Sequence, residues 1–220
     1  MPLIADIVRR SLGAFTNVLE CSGDKGLKPF IDDLRGLNPA TAKGASDRPK
    51  SNPALAHLPK ALSSARGDQR LVDAVRAIAG EVRWASSYAP GGKVGFLATR
   101  MVWGEIAGQR GLIKAPLMRH GCFLLSPGLV YPLHGHVAEE IYFVTSGRME
   151  VEHGLEGARV CVGPGEYYHT PPGHPHALHI GEDPVLIVYQ WTGDLAPPVW
   201  FLECDNAGAW TRFHPEFQRG

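Results

Sequence analysis

One stretch of the chain, residues 128–147, most limits the folds open to it. It reads G-L-V-Y-P-L-H-G-H-V-A-E-E-I-Y-F-V-T-S-G, with His134, His136 and Glu140 spaced as H-x-H-x-x-x-E. Because side chains alternate between the two faces of a β-strand, the two histidines share one face and Glu140 shares a face with Tyr142. The stretch therefore predicts two imidazoles and a carboxylate converging inside a β-structure. Such a ligand set suits a divalent metal ion that keeps room for water or a substrate.

A second stretch supplies the expected fourth ligand. Residues 165–176 read G-E-Y-Y-H-T-P-P-G-H-P-H, and the Pro-Pro-Gly step within them predicts a turn. His176 would then open a strand antiparallel to the first one. On that strand His179 has the wrong parity to join His176, so we expect it to lie outside the metal site.

The two stretches resemble the two signature motifs of the cupin superfamily. The first matches G-x5-H-x-H-x3-E-x6-G, and the second matches G-x5-P-x-G-x2-H, with Ile180 where many cupins have Asn. The resemblance implies a mainly-β fold, in which a single-domain cupin barrel (a double-stranded β-helix or jelly roll) carries one divalent transition metal ion. Cupins also often pair barrel edges, so we expect a homodimer.

The rest of the chain divides into a helical part and a β part. Apolar residues recur at helical spacing from Leu3 to Leu19, and further helices are predicted over 27–37, 53–62 and from Asp68 to Val82. Residues 38–52 lack periodicity and predict a surface loop. We therefore expect an α-helical N-terminal extension, residues 1–85, packed on a β-barrel, residues 86–220. Predicted strands cover 94–102, 115–120, 121–126, 140–145, 148–153, 158–162, 176–180 and 185–191.

Composition excludes several classes of partner. The 22 basic and 22 acidic residues cancel, and no long basic run occurs, so neither nucleic acid nor an anionic membrane is an expected partner. No apolar stretch is long enough to span a membrane, and residues 2–20 lack the pattern of a signal peptide. The four cysteines form no C-x-x-C pair and are expected to be reduced. We expect a cytoplasmic protein.

A narrower resemblance points to one group of cupins. The runs H-G-H-V-A-E-E-I-Y, H-T-P-P-G-H-P-H-A-L and E-D-P-V-L-I-V-Y-Q-W-T-G-D are similar to those of the cupin-type dimethylsulfoniopropionate (DMSP) lyases, the DddL/DddQ type. The similarity covers about residues 85–195. It implies cleavage of DMSP, a zwitterionic sulfonium carboxylate, into dimethyl sulfide and acrylate. Transferred to this sequence, the metal ligands are His134, His136, Glu140 and His176, Tyr142 is the general base, and Tyr131 and Trp191 line the pocket.

These residue types suit β-elimination. A proton alpha to a carboxylate is weakly acidic, so a Lewis acid should stabilise the negative charge that develops when it is removed. The base must be deprotonated near neutral pH, and a phenol can serve as that base if a nearby cation lowers its pKa. The leaving sulfonium should prefer aromatic faces. Tyr131, Trp191, Tyr189 and Phe143 are the candidates for that contact, and Tyr131 is also a candidate catalytic residue beside Tyr142.

Two other functions stay open on the sequence alone. Three histidines and a glutamate can hold zinc, iron, manganese or nickel, so a metal-dependent dioxygenase or isomerase acting on another small carboxylate is the first alternative. The second is a non-catalytic cupin sensor or binding module. The complete ligand set and the lack of an attached helix-turn-helix segment or basic arm argue against that second reading.

Overall fold

The computed structural model describes residues 3–45 and 51–218. Its helices are α1 (Ile4–Cys21), α2 (Lys28–Gly36), α3 (Leu58–Ser63), α4 (Gln69–Ile78) and α5 (Leu97–Arg100), with 3-10 turns at Lys25–Leu27, Pro39–Thr41 and Pro53–His57. The strands are β1 (Trp84–Ala85), β2 (Met101–Gly108), β3 (Ile113–Lys114), β4 (Arg119–Leu125), β5 (Val130–Gly135), β6 (Glu139–Ser146), β7 (Met149–His153), β8 (Ala158–Val162), β9 (Tyr167–Thr170), β10 (His176–Ile180), β11 (Val185–Thr192), β12 (Trp200–Cys204) and β13 (Trp210–Phe213).

The strands form two sheets. The first has the order β1-β2-β4-β11-β6-β9, with β3 beside β2, and the second has the order β13-β12-β5-β10-β7-β8. Every described pairing is antiparallel except that of β2 with β3. Neighbours in each sheet are mostly distant in sequence, which is the jelly-roll arrangement that removes most free edges. The predicted mainly-β cupin barrel with a helical N-terminal region is confirmed.

Strand periodicity explains why the first sheet is buried on both faces. In β4, Phe123 and Leu125 point into the core between the two sheets, whereas Cys122 and Leu124 belong to the core between the sheet and the helices. Apolar side chains on both faces need a cover on both sides. Helices α1 and α4 supply the outer cover, and α1 is amphipathic for that reason.

The helix predicted from Asp68 is present as α4. Asp68 accepts a hydrogen bond from the backbone N–H of Leu71 at 3.0 Å and caps α4. The predicted surface loop over 38–52 contains the turn Pro39–Thr41, and its residues 46–50 lie outside the described residues.

Within the described ranges, no helix has the length and apolar character needed to cross a membrane. The domain boundary near residue 85 stays a prediction.

The predicted strand over 94–102 is wrong. Residues Leu97–Arg100 form the short helix α5, and the strand begins only at Met101. A short apolar run fits a buried helical turn as well as a buried strand, so periodicity could not separate the two. Residues 115–118 likewise precede β4, which starts at Arg119. Strands β12 and β13 near the end of the chain were not predicted.

Candidate active site

Three histidines meet inside the barrel. His134 lies near the end of β5, His136 follows that strand, and His176 opens β10 directly opposite His134 in an antiparallel pair. One nitrogen from each ring lies within 4.8 Å of the other two, and all three side chains are buried. The turn predicted at the Pro-Pro-Gly step does therefore return the chain so that His176 reaches the first motif.

Backbone carbonyls fix the tautomer of each ring. The Nδ1 atoms of His134, His136 and His176 lie 2.8, 2.8 and 3.2 Å from the carbonyl oxygens of Pro132, Ala138 and His174. A carbonyl oxygen can only accept a hydrogen bond, so each Nδ1 carries the proton and donates it. The lone pair of each neutral ring is then on Nε2, which is the form of histidine that binds a metal ion.

Glu140 completes the group from the next strand. Its Oε2 lies 2.9 Å from Nε2 of His136 and 3.5 Å from Nε2 of His176, while the indole N–H of Trp191 donates to Oε1. It contacts two of the imidazoles rather than lying equally close to all three. Burial acts to raise the pKa of Glu140, but His136 and His176 hold that pKa well below its usual value.

The donor set fits a cation. With Nδ1 protonated, the Nε2 lone pair of His136 faces a carboxylate oxygen, an arrangement that needs either a second proton or a positive ion between them. Nε2 of His176 is buried and has no hydrogen-bond partner among the described residues. Buried polar atoms are normally satisfied, so this nitrogen is an available ligand. Burial and the neighbouring rings of His176 and His136 also hold the pKa of His134 well below its usual value.

Tyr142 lies on the same face of β6 as Glu140, as strand alternation predicts. Only 2% of its surface is exposed, and its ring centroid is 6.1 Å from that of His176. Burial raises the pKa of its phenol well above the usual value, and the negative charge of Glu140 raises it further. In the protein alone, Tyr142 is therefore a neutral phenol.

An aromatic cavity of about 330 Å³ reaches the histidine group through Glu140 and opens to the surface. Glu140 and Tyr142 line it, and the aromatic side chains on its wall are Tyr88, Trp103, Phe123, Tyr131, Tyr189, Trp191 and Phe217. Glu105, Arg110 and Arg119 add charged groups to the wall. A cavity that is mostly apolar with a few convergent polar groups is the usual form of a small-molecule site.

The structure brings three of the four predicted pocket aromatics to this cavity. Tyr131 stacks on His134 with ring centroids 3.9 Å apart, and Trp191 stacks on His136 at 4.2 Å. Tyr189 is the antiparallel partner of Tyr142, so the two rings line the same part of the wall. Trp191 also lies beneath the Arg119 guanidinium, 5.4 Å from its ring.

The prediction for Phe143 is corrected by the structure. Its side chain points to the opposite face of β6 and packs against Phe15 of α1, with ring centroids 6.2 Å apart. The alternation that joins Tyr142 to Glu140 excludes the adjacent residue from the same cavity. The sequence therefore already contained the signal against Phe143.

Sequence reasoning also missed cavity residues outside the two motifs. Tyr88 and Trp103 come from the segment before and within β2, and Phe217 comes from the end of the described chain. Their approach depends on long-range contacts, such as the antiparallel bridge between Tyr88 and Phe217. A local pattern carries no signal for such contacts. Trp103 in β2 and Phe123 in β4 lie on strands whose alternation could have indicated their direction.

Comparison with protein families finds one match of wide coverage. The family model described as dimethylsulfoniopropionate lyase matches residues 34–187. Two named relatives are similar. DMSP lyase DddQ of Ruegeria pomeroyi is 43% identical over 79 residues, which are 34% of this chain and 38% of that protein. A protein of Cereibacter sphaeroides with the provisional name DMSP lyase DddL is 34% identical over 193 residues, 83% of this chain and 80% of that protein.

Two solved structures of DMSP lyases are also similar to this chain. A chain from the crystal structures of the DMSP lyases RdDddP and RnDddQII superposes with a TM-score of 0.66 and 26% identity, covering 90% of this chain and 98% of that one. The crystal structure of DMSP lyase DddQ from Ruegeria pomeroyi gives a TM-score of 0.62 and 25% identity, with coverage of 86% and 96%. The similarity thus includes the helical region as well as the barrel.

Proposed function

Because the chain belongs to the dimethylsulfoniopropionate lyase family, we propose that it cleaves DMSP by β-elimination into dimethyl sulfide and acrylate at the buried histidine group. The observation that carries the proposal is the set of three imidazoles whose Nδ1 atoms are all bonded to carbonyls. The Nε2 lone pair of each ring is thereby left available, one nitrogen from each ring lies within 4.8 Å of the other two, and Glu140 joins this group to the aromatic cavity that it lines. Members of this carbon–sulfur lyase family need a site for a small zwitterion, and the cavity has suitable size and lining.

His134, His136 and His176 would hold a divalent ion, with Glu140 beside them as the fourth ligand. An ion held there would bind the substrate carboxylate, stabilise the charge that develops on it and favour the phenolate of Tyr142. Zinc, iron, manganese and nickel all accept this combination of imidazole and carboxylate ligands.

Tyr142 would remove the proton alpha to the carboxylate. Its side chain is on the face of β6 that carries Glu140, is buried and lines the cavity, so a carboxylate bound at the histidines would lie beside the phenol. A buried base is shielded from water, which keeps the abstracted proton from exchanging before the carbon–sulfur bond breaks. The electron pair of the C–H bond forms the new double bond, and the sulfonium leaves as neutral dimethyl sulfide without a general acid.

The aromatic wall would receive the sulfonium end. Tyr131, Tyr189 and Trp191 surround the part of the cavity next to Tyr142. A cation over an aromatic face gains roughly 0.5–2 kcal/mol, and the gain rises when water is excluded. These faces lose that attraction once the sulfide is neutral, which helps the product to leave.

The test is a headspace assay on purified protein of known metal content. The protein is incubated with DMSP, dimethyl sulfide is measured by gas chromatography, and dissolved oxygen is followed in parallel. We expect dimethyl sulfide without oxygen uptake, and its loss after chelation. Oxygen uptake with another small carboxylate, and no dimethyl sulfide, would instead identify a dioxygenase and reject the proposal.

A further inference from the structure

Tyr88 occupies a place in the cavity that neither sequence motif indicates. It follows β1, only 3% of its surface is exposed, and its ring lines the same cavity as Tyr142. Its hydroxyl oxygen lies 2.5 Å from that of Tyr131. The two phenols therefore form a hydrogen-bonded pair inside the candidate active site.

Only one of the two hydroxyl protons of this pair is used in the hydrogen bond between the two oxygens. Phenols titrate near ~10, so both side chains are neutral at ordinary pH. One proton lies between the two oxygens, and the other O–H remains free to donate. If Tyr88 donates to Tyr131, the free donor is the Tyr131 hydroxyl, whose direction is then fixed by its bond to Tyr88.

Contacts from β12 and from the end of the described chain hold Tyr88 in place. Its ring stacks on Phe217 at 5.8 Å and meets Phe201 edge-on at 5.8 Å. Its carbonyl oxygen accepts a bond of 2.9 Å from the side chain of Gln218, and the backbone N–H of Gln218 donates to the carbonyl of Ser87 at 2.8 Å. The position of the hydroxyl is thus fixed by contacts from two distant parts of the chain.

Tyr131 in turn lies against the histidine group. Its ring stacks on His134 with an angle of 21° between the planes and the residue also lines the cavity, so Tyr131 lies on the cavity wall next to the point where the imidazoles converge. A small carboxylate bound at that point brings an anionic oxygen to this wall. A neutral hydroxyl with a free proton is a suitable donor to it, and the bond strengthens as negative charge grows on the carboxylate.

We propose that Tyr88 is a positioning residue of the lyase site: its hydroxyl bond orients Tyr131 so that Tyr131 donates to the substrate carboxylate. The inference rests on the proposed lyase function for the identity of the carboxylate. It gives the segment between β1 and α5, together with Phe217 and Gln218, a defined part in the reaction.

A double-mutant cycle on the metal-loaded protein tests the proposal. We expect Tyr88→Phe to lower kcat/KM for DMSP about tenfold, mainly through kcat, because the lost orientation matters most when the carboxylate carries extra charge. In a Tyr131→Phe background the same change should alter kcat/KM by less than about twofold, because the hydroxyl that Tyr88 orients is absent. A packing role would give equal losses in both backgrounds.

Tyr167→Phe is the matched control. It removes a tyrosine hydroxyl that bonds Asp24 at 2.9 Å outside the cavity, so kcat/KM should stay at the wild-type value. Metal content and thermal stability are measured for every variant. Gln218→Leu, which removes the donor to the Tyr88 carbonyl, should lower kcat in the same direction as Tyr88→Phe but by a smaller factor.

Calorimetric binding of acrylate to the same proteins separates this inference from the proposed function. Tyr88→Phe should weaken acrylate binding in the wild-type background and leave it unchanged in the Tyr131→Phe background. If DMSP is not cleaved but this coupling is found, the lyase function is wrong and the role of Tyr88 stands. A wild-type-like Tyr88→Phe, additive losses, or a protein that neither cleaves DMSP nor binds acrylate overturns the inference.

Discussion

In the candidate site, the orientation of each histidine ring depends on a backbone carbonyl as much as on the neighbouring side chains. Each of the three imidazoles donates Nδ1–H to a carbonyl within two residues of it in sequence. Local chain geometry therefore sets the ring direction and leaves Nε2 free before any ion binds. A site prepared in this way loses little side-chain entropy on binding a ligand.

Removing one imidazole should remove the metal. We expect His176→Gln to lose most of the bound ion and the lyase activity together, because the buried Nε2 that has no other described partner is gone. His179→Gln is the control on the same strand, since His179 bonds Glu152 at 2.8 Å away from the cavity. Metal analysis of the two variants purified in parallel checks this. Equal metal content would show that His176 is not a ligand.

Trp191 should act on the site through Glu140. Its indole N–H donates to Oε1 of that carboxylate and its ring stacks on His136. Loss of such a supporting bond typically lowers metal affinity about 10- to 100-fold. We expect Trp191→Phe, which keeps an aromatic ring, to weaken metal binding by that factor in a chelator competition titration. Unchanged metal affinity would show that Trp191 lines the cavity but does not support metal binding through Glu140.

At the scale of strands, pairing register brings the site together. His176 pairs with His134 across β10 and β5, and Glu140 and Tyr142 pair with Trp191 and Tyr189 across β6 and β11. A shift of one residue in either pair would turn these side chains to the opposite face. The site therefore depends on the close packing that fixes the strands against one another.

Gly121 shows how tight that packing is. A Cβ at this position of β4 would lie 2.0 Å from the carbonyl oxygen of Gly104 in β2, and backbone atoms cannot move aside easily. We expect Gly121→Ala to lower the free energy of unfolding by about 1–3 kcal/mol or more. Gly13→Ala in α1 is the control, because nothing lies within 4 Å and alanine favours a helix by about 0.5–1 kcal/mol. Urea unfolding measures both. A stable Gly121→Ala would contradict the strand spacing.

The sequence could predict the part of the site that strand alternation governs. His134, His176, Glu140 and Tyr142 all lie where parity and the turn at residues 171–173 place them. The prediction that Phe143 lines the cavity was wrong because the same parity rule was not applied to it. Tyr88 could not be found, since its position depends on Phe217 and Gln218, which are distant in sequence.

At the scale of the whole molecule, the helices and the barrel share one core. Phe15 of α1 stacks on His120 of β4 with ring centroids 5.1 Å apart, and the Gln190 side chain donates to the carbonyl of Phe30 at 3.1 Å. The helical cover was predictable because the strands facing it are apolar on both sides. Its order and contacts were not, because amphipathic stripes do not specify partners.

This shared core should make stability depend on pH through His120. The ring is fully buried and Nδ1 bonds the Tyr189 carbonyl at 3.0 Å, while burial lowers the pKa of His120 to about 4. The unfolded chain binds a proton near pH ~6.5, so the free energy of unfolding should fall as pH drops from about 6.5 to 4, by on the order of 3 kcal/mol. Urea unfolding across this range should show a flatter profile for His120→Gln. Equal slopes would contradict the assignment.

We propose that the histidine group and Tyr142 together carry out the β-elimination. The most direct measurement compares wild type with Tyr142→Phe, both loaded with metal and quantified for metal, dimethyl sulfide and acrylate after incubation with DMSP. We predict equimolar dimethyl sulfide and acrylate from the wild type, and a loss of at least about a hundredfold in Tyr142→Phe at unchanged metal content, as expected when a general base is removed. A Tyr142→Phe variant that kept most of the turnover would show that Tyr142 is not the general base.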